Sequence, residues 1–337
     1  MPYEHLRREI ERWEDELGGT LGVAARELVS GREICYRADE LFPLASVFKV
    51  PLMVTVMRHV DAGEIALDER LALVERDKSP GSTLTHCHPG LQPTVRDLLY
   101  LTITLSDNTA TDMLWHRVGK GSINETMRSL GLATIDCWVP NRPYFLIEIV
   151  RNGEWAGLTA EAVVAKFQAL SEAGRDAALA RIEELNGELS GADFLRLSDE
   201  RYGRDGERNY EDSFVIDQAL DNRGTPRDIT ALLAMIADGR CATPASCALM
   251  VEILSRQEWR TRIPAGLPAG MRVANKTGSV SGTVNDAALI FPSSGRPFAL
   301  TVLSKGLGYA AQARAETAIA ALAGQIFATF QDGGDPP

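Results

Sequence analysis

A serine and a lysine stand three residues apart at the start of an apolar run, in the segment from Leu44 to Pro51. On a helix this spacing is close to one turn, so the side chains of Ser46 and Lys49 share one face. A lysine held out of water beside a serine can stay neutral enough to take its proton, which activates a weak nucleophile. Unpaired backbone N–H groups at a helix N-terminus would also favour the negative charge of acyl transfer. The alternative interpretation is an N-cap serine followed by a solvated lysine.

Two further motifs favour the catalytic interpretation. Ser-Asp-Asn stands at residues 106–108 after an apolar run, and Lys-Thr-Gly-Ser stands at residues 276–279 in a strand-like context. The order S-x-x-K, S-D-N and K-T-G is the motif set of class A β-lactamases and penicillin-binding proteins. The chain therefore resembles the class A serine β-lactamases and related penicillin-recognising serine hydrolases, over about residues 20–140 and 222–330.

The resemblance implies a role for each residue near the nucleophile. Ser46 would attack an amide or lactam carbonyl with Lys49 as its base, and Ser106 would relay a proton toward the leaving nitrogen. Asn108 would hold the substrate's amide, whereas Asp107 would tie down the turn. The alternative for this turn is a helix linker with an Asx-type hydrogen bond.

The resemblance also implies that the Lys-Thr-Gly-Ser segment binds substrate. Lys276 would attract a substrate carboxylate and help set the field around Ser46. The hydroxyls of Thr277 and Ser279 would hold the same carboxylate, with Gly278 between them. The N–H groups of Ser279 and Ser46 would form the oxyanion hole. A K-T-G match standing alone would instead suit an edge strand with a solvated lysine.

The chain departs from the family's pattern between Leu132 and Thr230. In the family, a short loop here carries a glutamate that activates the deacylating water, and local resemblance puts Val139 at that place. A valine cannot activate water. Three acidic residues precede the point where the resemblance resumes, and each is either a replacement for the glutamate or a surface charge: Glu211, Asp212 and Asp217.

The departing segment is also much longer than the family's loop. Leu158–Leu197 has helical periodicity and many Ala, Glu and Arg residues. We therefore predict an inserted helical cap at about residues 141–215, whose place beside the active site favours a lid that shapes substrate access. The alternative is a solvated helical hairpin with no role.

Patterning elsewhere predicts an α/β (α+β) architecture, the serine β-lactamase or DD-peptidase-like fold that the resemblance also implies. The predicted elements are a helix at 4–17, strands at 21–28, 33–37, 271–277, 285–291 and 298–304, helices at 94–105 and 109–119, and a last helix at 311–330. We expect one antiparallel sheet with terminal helices in residues 1–42 and 265–331. Residues 43–264 would form the helical part of one continuous folded unit, with the active site at the junction.

Composition limits the partners. Apolar residues make up 45% of the 337-residue chain and charged residues 24%, as in ordinary globular proteins. A net charge of −11 without a basic stripe argues against a nucleic-acid partner, and no apolar run reaches membrane-spanning length. The expected partner is a small-molecule substrate that has a carboxylate and an amide or lactam carbonyl. We expect a monomer.

The N-terminal sequence and the cysteines favour a cytoplasmic protein. The first twelve residues are charged throughout and lack the apolar stretch of a secretory signal. Five scattered cysteines suit reduced thiols better than a disulfide framework. His86 and His88 flank Cys87, but no further ligand pair of a zinc site accompanies them, so we expect no metal or other cofactor. The loop at 77–93 that contains them is expected at the rim of the active site.

Three functional hypotheses follow. The first is a β-lactamase-like serine hydrolase that acts through a Ser46 acyl-enzyme on a β-lactam or related amide. The second is a cytoplasmic peptidase, esterase or acyltransferase for a non-lactam metabolite, motivated by Val139 and the insertion. The third is a ligand-binding or sensor protein without turnover. Likeness of fold alone cannot choose among them.

Overall fold

The computed structural model describes residues 2–203 and 207–331. The strands there are β1 (Thr20–Glu27), β2 (Glu33–Tyr36), β3 (Phe42–Pro43), β4 (Arg223–Gly224), β5 (Arg272–Val280), β6 (Thr283–Phe291) and β7 (Phe298–Lys305). The α-helices there are α1 (Pro2–Leu17), α2 (Lys49–Asp61), α3 (Val95–Tyr100), α4 (Asn108–Val118), α5 (Lys120–Ser129), α6 (Asn141–Phe145), α7 (Ala160–Gln168), α8 (Glu172–Leu185), α9 (Gly191–Tyr202), α10 (Tyr210–Leu220), α11 (Pro226–Ala237), α12 (Pro244–Leu254) and α13 (Gln312–Gln331).

The predicted antiparallel sheet is confirmed. Its order is β2-β1-β7-β6-β5, so the N-terminal hairpin joins the C-terminal strands through the β1–β7 pair. The register of that pair runs from Thr20 opposite Lys305 to Glu27 opposite Phe298. Strand β5 continues to Val280, so residues 276–279 lie inside the strand and not at its end as expected. The short β3–β4 pair ties the segment before Ser46 to the chain after α10.

Terminal helices cover one face of the sheet. Leu6, Ile10 and Leu17 of α1 follow helical spacing and are buried, and they share a core with apolar residues of the sheet and α13. Burying each such side chain contributes about 1.5–3 kcal/mol. This core fixes the sheet that carries the Lys-Thr-Gly-Ser segment.

Replacement of Gly266 by alanine should destabilise this face of the molecule. A Cβ at Gly266 would lie 1.8 Å from the carbonyl oxygen of Ala320 in α13, and this backbone contact cannot be relieved by a rotamer change. We expect Gly266→Ala to lower the free energy of unfolding by about 1–3 kcal/mol in urea denaturation. Gly121→Ala is the matched control, because an added Cβ there meets nothing within 4 Å on an exposed stretch of α5. It should stabilise by about 0.5–1 kcal/mol. Equal stability of Gly266→Ala and wild type would contradict this packing.

The helical part is built around α2. The residues of α2 from Lys49 to Met57 are all buried, as expected for a helix surrounded by others. Its core extends through α3, α4, α5, α11 and α12 to the second face of the sheet, where Ala274, Ala287 and Leu303 contribute. The start of α2 therefore lies where the helical part meets the sheet.

Two predicted helices are corrected at the residues that carry the chemistry. Ser46 lies in a 3₁₀ turn, Ala45–Phe48, and α2 begins only at Lys49. The helix predicted at 94–105 is α-helical only to Tyr100 and continues as a π-helical turn over Leu101–Leu105. That wider turn ends at Ser106, which adopts a left-handed conformation with φ 60° and ψ 30°. Such departures are common at functional sites.

The segment from Trp138 to Leu220 has a hydrophobic core of its own. Helices α7 and α8 and most of α9 occupy the stretch in which periodicity predicted helices. Trp155 stacks on Phe167 with ring centroids 4.5 Å apart, and Phe194 and Ile216 are fully buried beside them. A solvated hairpin would leave such side chains in water, so that alternative does not describe this segment.

Within residues 2–203 and 207–331, helices are too short or too polar to cross a bilayer.

Candidate active site

The residue before Ser46 has a conformation that few side chains tolerate. Ala45 has φ +45°, in the left-handed region, which costs a non-glycine residue about 1–3 kcal/mol. Its N–H donates to Asp221 Oδ2 at 2.6 Å, a charge-assisted bond that offsets part of this cost. Ser46 is half-buried, whereas both of its neighbours, Ala45 and Val47, are buried. The serine is therefore presented to open space from a fixed backbone.

The sheet braces the same segment from the other side. Asn285 Nδ2 of β6 donates to Pro43 O at 2.8 Å and to Leu44 O at 3.2 Å. A Cβ at Gly278 would lie 2.9 Å from the backbone nitrogen of Ser46 and 2.8 Å from Leu44 O. Strand β5 can approach the serine this closely only because residue 278 has no side chain.

Lys49 is fully buried and holds three hydrogen bonds. Its Nζ donates to Ser106 O at 2.7 Å, to Ser106 Oγ at 3.1 Å and to Asn108 Oδ1 at 2.6 Å. Burial lowers the pKa of this amine to about 7. Among the described residues no direct hydrogen bond joins Lys49 Nζ to Ser46 Oγ, although the sequence suggested an adjacent pair. Near neutral pH the amine is thus close to half neutral.

A second buried lysine reaches the same hydroxyl. Lys276 Nζ donates to Ser106 Oγ at 3.0 Å and to Thr277 O at 2.7 Å. Burial, reinforced by the charge of Lys49, lowers the pKa of Lys276 well below its ordinary value. Ser106 Oγ therefore bridges two amines that both disfavour a proton, an arrangement suited to proton transfer.

The neighbours of Ser106 hold the loop at 77–93 against the site. Asp107 accepts hydrogen bonds from Thr83 N at 2.7 Å, Leu84 N at 3.0 Å and Ala110 N at 2.8 Å, so it ties down the turn as expected. Asn108 Nδ2 donates to Pro80 O at 2.7 Å. These contacts place the loop at the rim of the cleft described next.

A cleft of about 340 Å³ opens in front of Ser46. Its walls come from the 3₁₀ turn, the Ser106 turn, β5 and the segment before β5. The sequence-predicted residues that line it are Ser46, Ser106, Asn108, Thr277, Gly278 and Ser279. The three motifs, which lie far apart in the chain, thus meet around one space large enough for a small molecule.

Arg262 lines this cleft and was not among the predicted residues. It is 7% exposed, and its guanidinium donates to Ser279 Oγ at 2.6 Å and to Gly278 O at 2.9 Å. Glu316 lies 3.0 Å from the same guanidinium. In the sequence, Arg262 is one of several arginines in a loop ahead of β5, and this context does not distinguish it from a surface charge.

A second, smaller cavity of about 60 Å³ also borders Ser46. Val139, Tyr144 and Phe145 form part of its wall, together with Asn141, Asp221 and Asn222. Asp221 is fully enclosed, and burial raises its pKa to about 7. The sequence did not indicate Asp221, because no local motif distinguishes it from the other acidic residues in α10 and at its ends.

The three carboxylates proposed from the sequence line neither cavity. Glu211 is exposed, and Asp212 is paired with Arg151 and Arg201 on the outer side of the cap. Asp217 is buried, but it accepts hydrogen bonds from Tyr144 and from Ser281 N. Tyr144, which holds Asp217, lines the 60 Å³ cavity, whereas Asp217 itself does not.

The sheet, the helical part and the serine with two buried lysines at their junction define the class A serine β-lactamase fold. A family model described as "Beta-lactamase enzyme family" matches residues 5–330. The chain belongs to this family, so the resemblance drawn from the three motifs is confirmed.

Individual relatives agree with this assignment. The chain is 37% identical to beta-lactamase L2 of Stenotrophomonas maltophilia over 119 residues, which are 35% of this chain and 39% of that protein. It is 27% identical over 308 residues to a beta-lactamase of Streptomyces albus G, over 88% of this chain and 76% of that one. A mutant class A β-lactamase of the last common ancestor of Gram-negative bacteria superposes with a TM-score of 0.70 at 26% identity, over 98% of this chain and 100% of that one.

Proposed function

We propose that this chain hydrolyses a β-lactam or a related amide through an acyl-enzyme on Ser46. The observation that carries the proposal is the chain of hydrogen bonds from Lys49 through Ser106 Oγ to Lys276, in a cleft that Ser46 also lines. These groups are the nucleophile, base and proton relay that acyl transfer from nitrogen to oxygen requires.

Acylation would proceed as follows. Ser46 Oγ attacks the carbonyl carbon while its proton passes to the neutral amine of Lys49. The oxyanion is stabilised by the N–H groups of Ser46 and Ser279, which the absence of a side chain at Gly278 lets approach each other. The proton then reaches the leaving nitrogen through Ser106, and the carbon–nitrogen bond breaks. In a lactam the amine remains tethered to the acyl group.

The substrate's carboxylate would lie at the β5 side of the cleft. Arg262 provides a charged group at Ser279 Oγ, and the hydroxyls of Thr277 and Ser279 provide donors. Glu316 is one-third exposed, so water screens its charge, whereas Arg262 is almost fully buried. Glu316 therefore neutralises only part of the positive charge of Arg262. This supports a small acidic substrate, as expected for the family.

Removal of Arg262 should weaken substrate binding. A hydrogen bond to a charged group contributes about 1.5–3 kcal/mol. We therefore expect Arg262→Ala to raise the KM for benzylpenicillin by about 10–100-fold with a smaller change in kcat. Arg256→Ala, an exposed arginine of the α12 end, is the control for net charge and should leave KM unchanged. An unchanged KM in folded Arg262→Ala would refute this carboxylate site.

The test of the proposed function is the loss of lactam absorbance when the protein is mixed with benzylpenicillin. Saturable, protein-dependent loss supports it. Absence of both lactam loss and covalent adduct would refute it, and the protein would then be a binding protein or act on another acyl group.

A second candidate is a peptidase, esterase or acyltransferase for a non-lactam metabolite. Tyr144 and Phe145 of the predicted insertion, with Val139 just before it, line the 60 Å³ cavity that borders Ser46, so the insertion would contribute to the reaction space. A lid of this kind would select acyl groups by shape. A penicillin adduct that persists on Ser46 without turnover would favour this candidate.

A further inference from the structure

Asp221 borders two cavities beside the active site. Besides the 60 Å³ cavity that it shares with Ser46, Asp221 lines a separate cavity of about 140 Å³. Trp138, Phe167 and Arg175 form walls of that second space. A cavity of 60 Å³ exceeds the room that one water molecule needs. The cavity that Asp221 shares with Ser46 therefore has room for a water molecule against the carboxylate.

We propose that Asp221 is the general base that activates the deacylating water in this chain. The inference rests on the proposed Ser46 acyl-enzyme. Asp221 and Ser46 line the same 60 Å³ cavity, so a water held there would lie beside both the carboxylate and the acylated serine. Among the described residues, it is the acidic side chain in the wall of the 60 Å³ cavity.

The carboxylate of Asp221 has the capacity for this role. Its Oδ2 accepts the N–H of Ala45 at 2.6 Å. A carboxylate has about four acceptor sites, so further sites remain for a water. Burial raises the pKa of Asp221 to about 7, and its place at the C-terminal end of α10 acts in the same direction. A base with a pKa near the working pH is close to optimal for proton transfer.

The chemical step balances within the site. Water attacks the acyl carbon, and Asp221 takes one of its protons as the new carbon–oxygen bond forms. The tetrahedral intermediate then collapses, the ester bond to Ser46 Oγ breaks, and the proton returns from Asp221 to that oxygen. The products are the free carboxylic acid and the starting enzyme.

Several charged or titratable groups act on Asp221 and set its pH response. Asp217 raises its pKa, and Arg223 lowers it. The others that face it or line its cavities are Asp136, Cys137, Tyr144 and Arg175. Since the base form is required, deacylation should be slow below pH 7 and rise as the pH passes through about 7.

Asp221→Asn separates a catalytic from a positioning role, because the asparagine oxygen can still accept the N–H of Ala45. With benzylpenicillin, we expect acylation of Ser46 within about threefold of wild type and deacylation slower by about 10²–10⁴-fold. Intact-protein mass would then show accumulated acyl-enzyme, whose residual decay no longer rises near pH 7. Glu211→Gln, an exposed neighbour on α10, should deacylate like wild type.

Several outcomes overturn the assignment. If Asp221→Asn deacylates at the wild-type rate, or loses only acylation, the role of Asp221 is limited to accepting the N–H of Ala45. A wild-type protein whose penicillin adduct never decays would show that Asp221 does not deacylate the penicilloyl enzyme. A wild-type protein that takes no acyl group at all refutes the proposed function instead, and with it this inference. Asp217→Asn tests the nearest other buried carboxylate and should deacylate at least tenfold faster than Asp221→Asn.

Discussion

Ser46→Ala should abolish penicillin turnover, with kcat/KM reduced by about 10⁴-fold or more. The side-chain oxygen is the only atom removed, and the buried lysines and Ser106 do not depend on it for their hydrogen bonds. The folded structure should therefore survive while the covalent step is lost. Lactam absorbance measured over time at several substrate concentrations gives the rate.

The control for this substitution is Ser293→Ala, at an exposed serine in the turn between β6 and β7. It should match wild type in turnover and in melting temperature. Residual turnover in Ser46→Ala within tenfold of wild type would identify a different nucleophile and contradict the account.

Lys49→Arg should slow acylation by about 10²–10⁴-fold. Arginine retains the positive charge and can donate to Ser106 and Asn108, but it cannot give up its proton near neutral pH. If Lys49 served only to hold these residues or to supply charge, the arginine variant would keep much of the activity. Single-turnover acylation, followed by quenching and mass analysis, measures the step directly.

The pH dependence of acylation tests the same role. Burial lowers the pKa of Lys49 to about 7, so the amine is charged and inactive below pH 7 and becomes neutral above it. Acylation by wild type should therefore rise through pH 7 and level off, whereas Lys49→Arg and Lys49→Met should lack this rise. Lys166→Met, at a partly exposed lysine of the cap, is the control for loss of an amine. Acylation of Lys49→Arg at the wild-type rate would contradict the role of Lys49 as the base.

The sequence predicts the residues around Ser46 because their signals are local. Three short motifs each carry their own spacing and context, and the alternation in β5, β6 and β7 predicts strands without any knowledge of their partners. Helical periodicity likewise predicts α7, α8 and α9. That the three motifs meet around one cleft is predicted by the resemblance to the family, and the residues alone do not predict it.

Asp221 and Arg262 could not be predicted, because their contacts connect distant parts of the chain. The hydrogen bond from Ala45 to Asp221 spans 176 residues, and no local pattern indicates it. The chain has 46 acidic residues, so a carboxylate at a helix end cannot be distinguished from a surface charge until its burial is known. The left-handed conformation of Ala45 is also invisible in the sequence, since alanine seldom adopts it.

The π-helical turn before Ser106 is unpredictable for a different reason. The apolar residues of Leu101–Leu105 suit an ordinary α-helix, and propensity alone extends α3 to their end. Packing against α2 and α12 and the hydrogen bond from Lys49 to Ser106 O impose the wider turn. Tertiary contacts therefore override the local preference at the residue on which proton transfer depends.

The most direct test of the account is a time course of intact-protein mass after mixing with benzylpenicillin, followed by peptide mapping. We expect a mass increase equal to one penicillin, located on the peptide that contains Ser46 and absent from Ser46→Ala. The adduct should decay faster above pH 7 than below it. An adduct on any other residue, or penicillin hydrolysis that continues in Ser46→Ala, would contradict the central claim that Ser46 forms the acyl-enzyme.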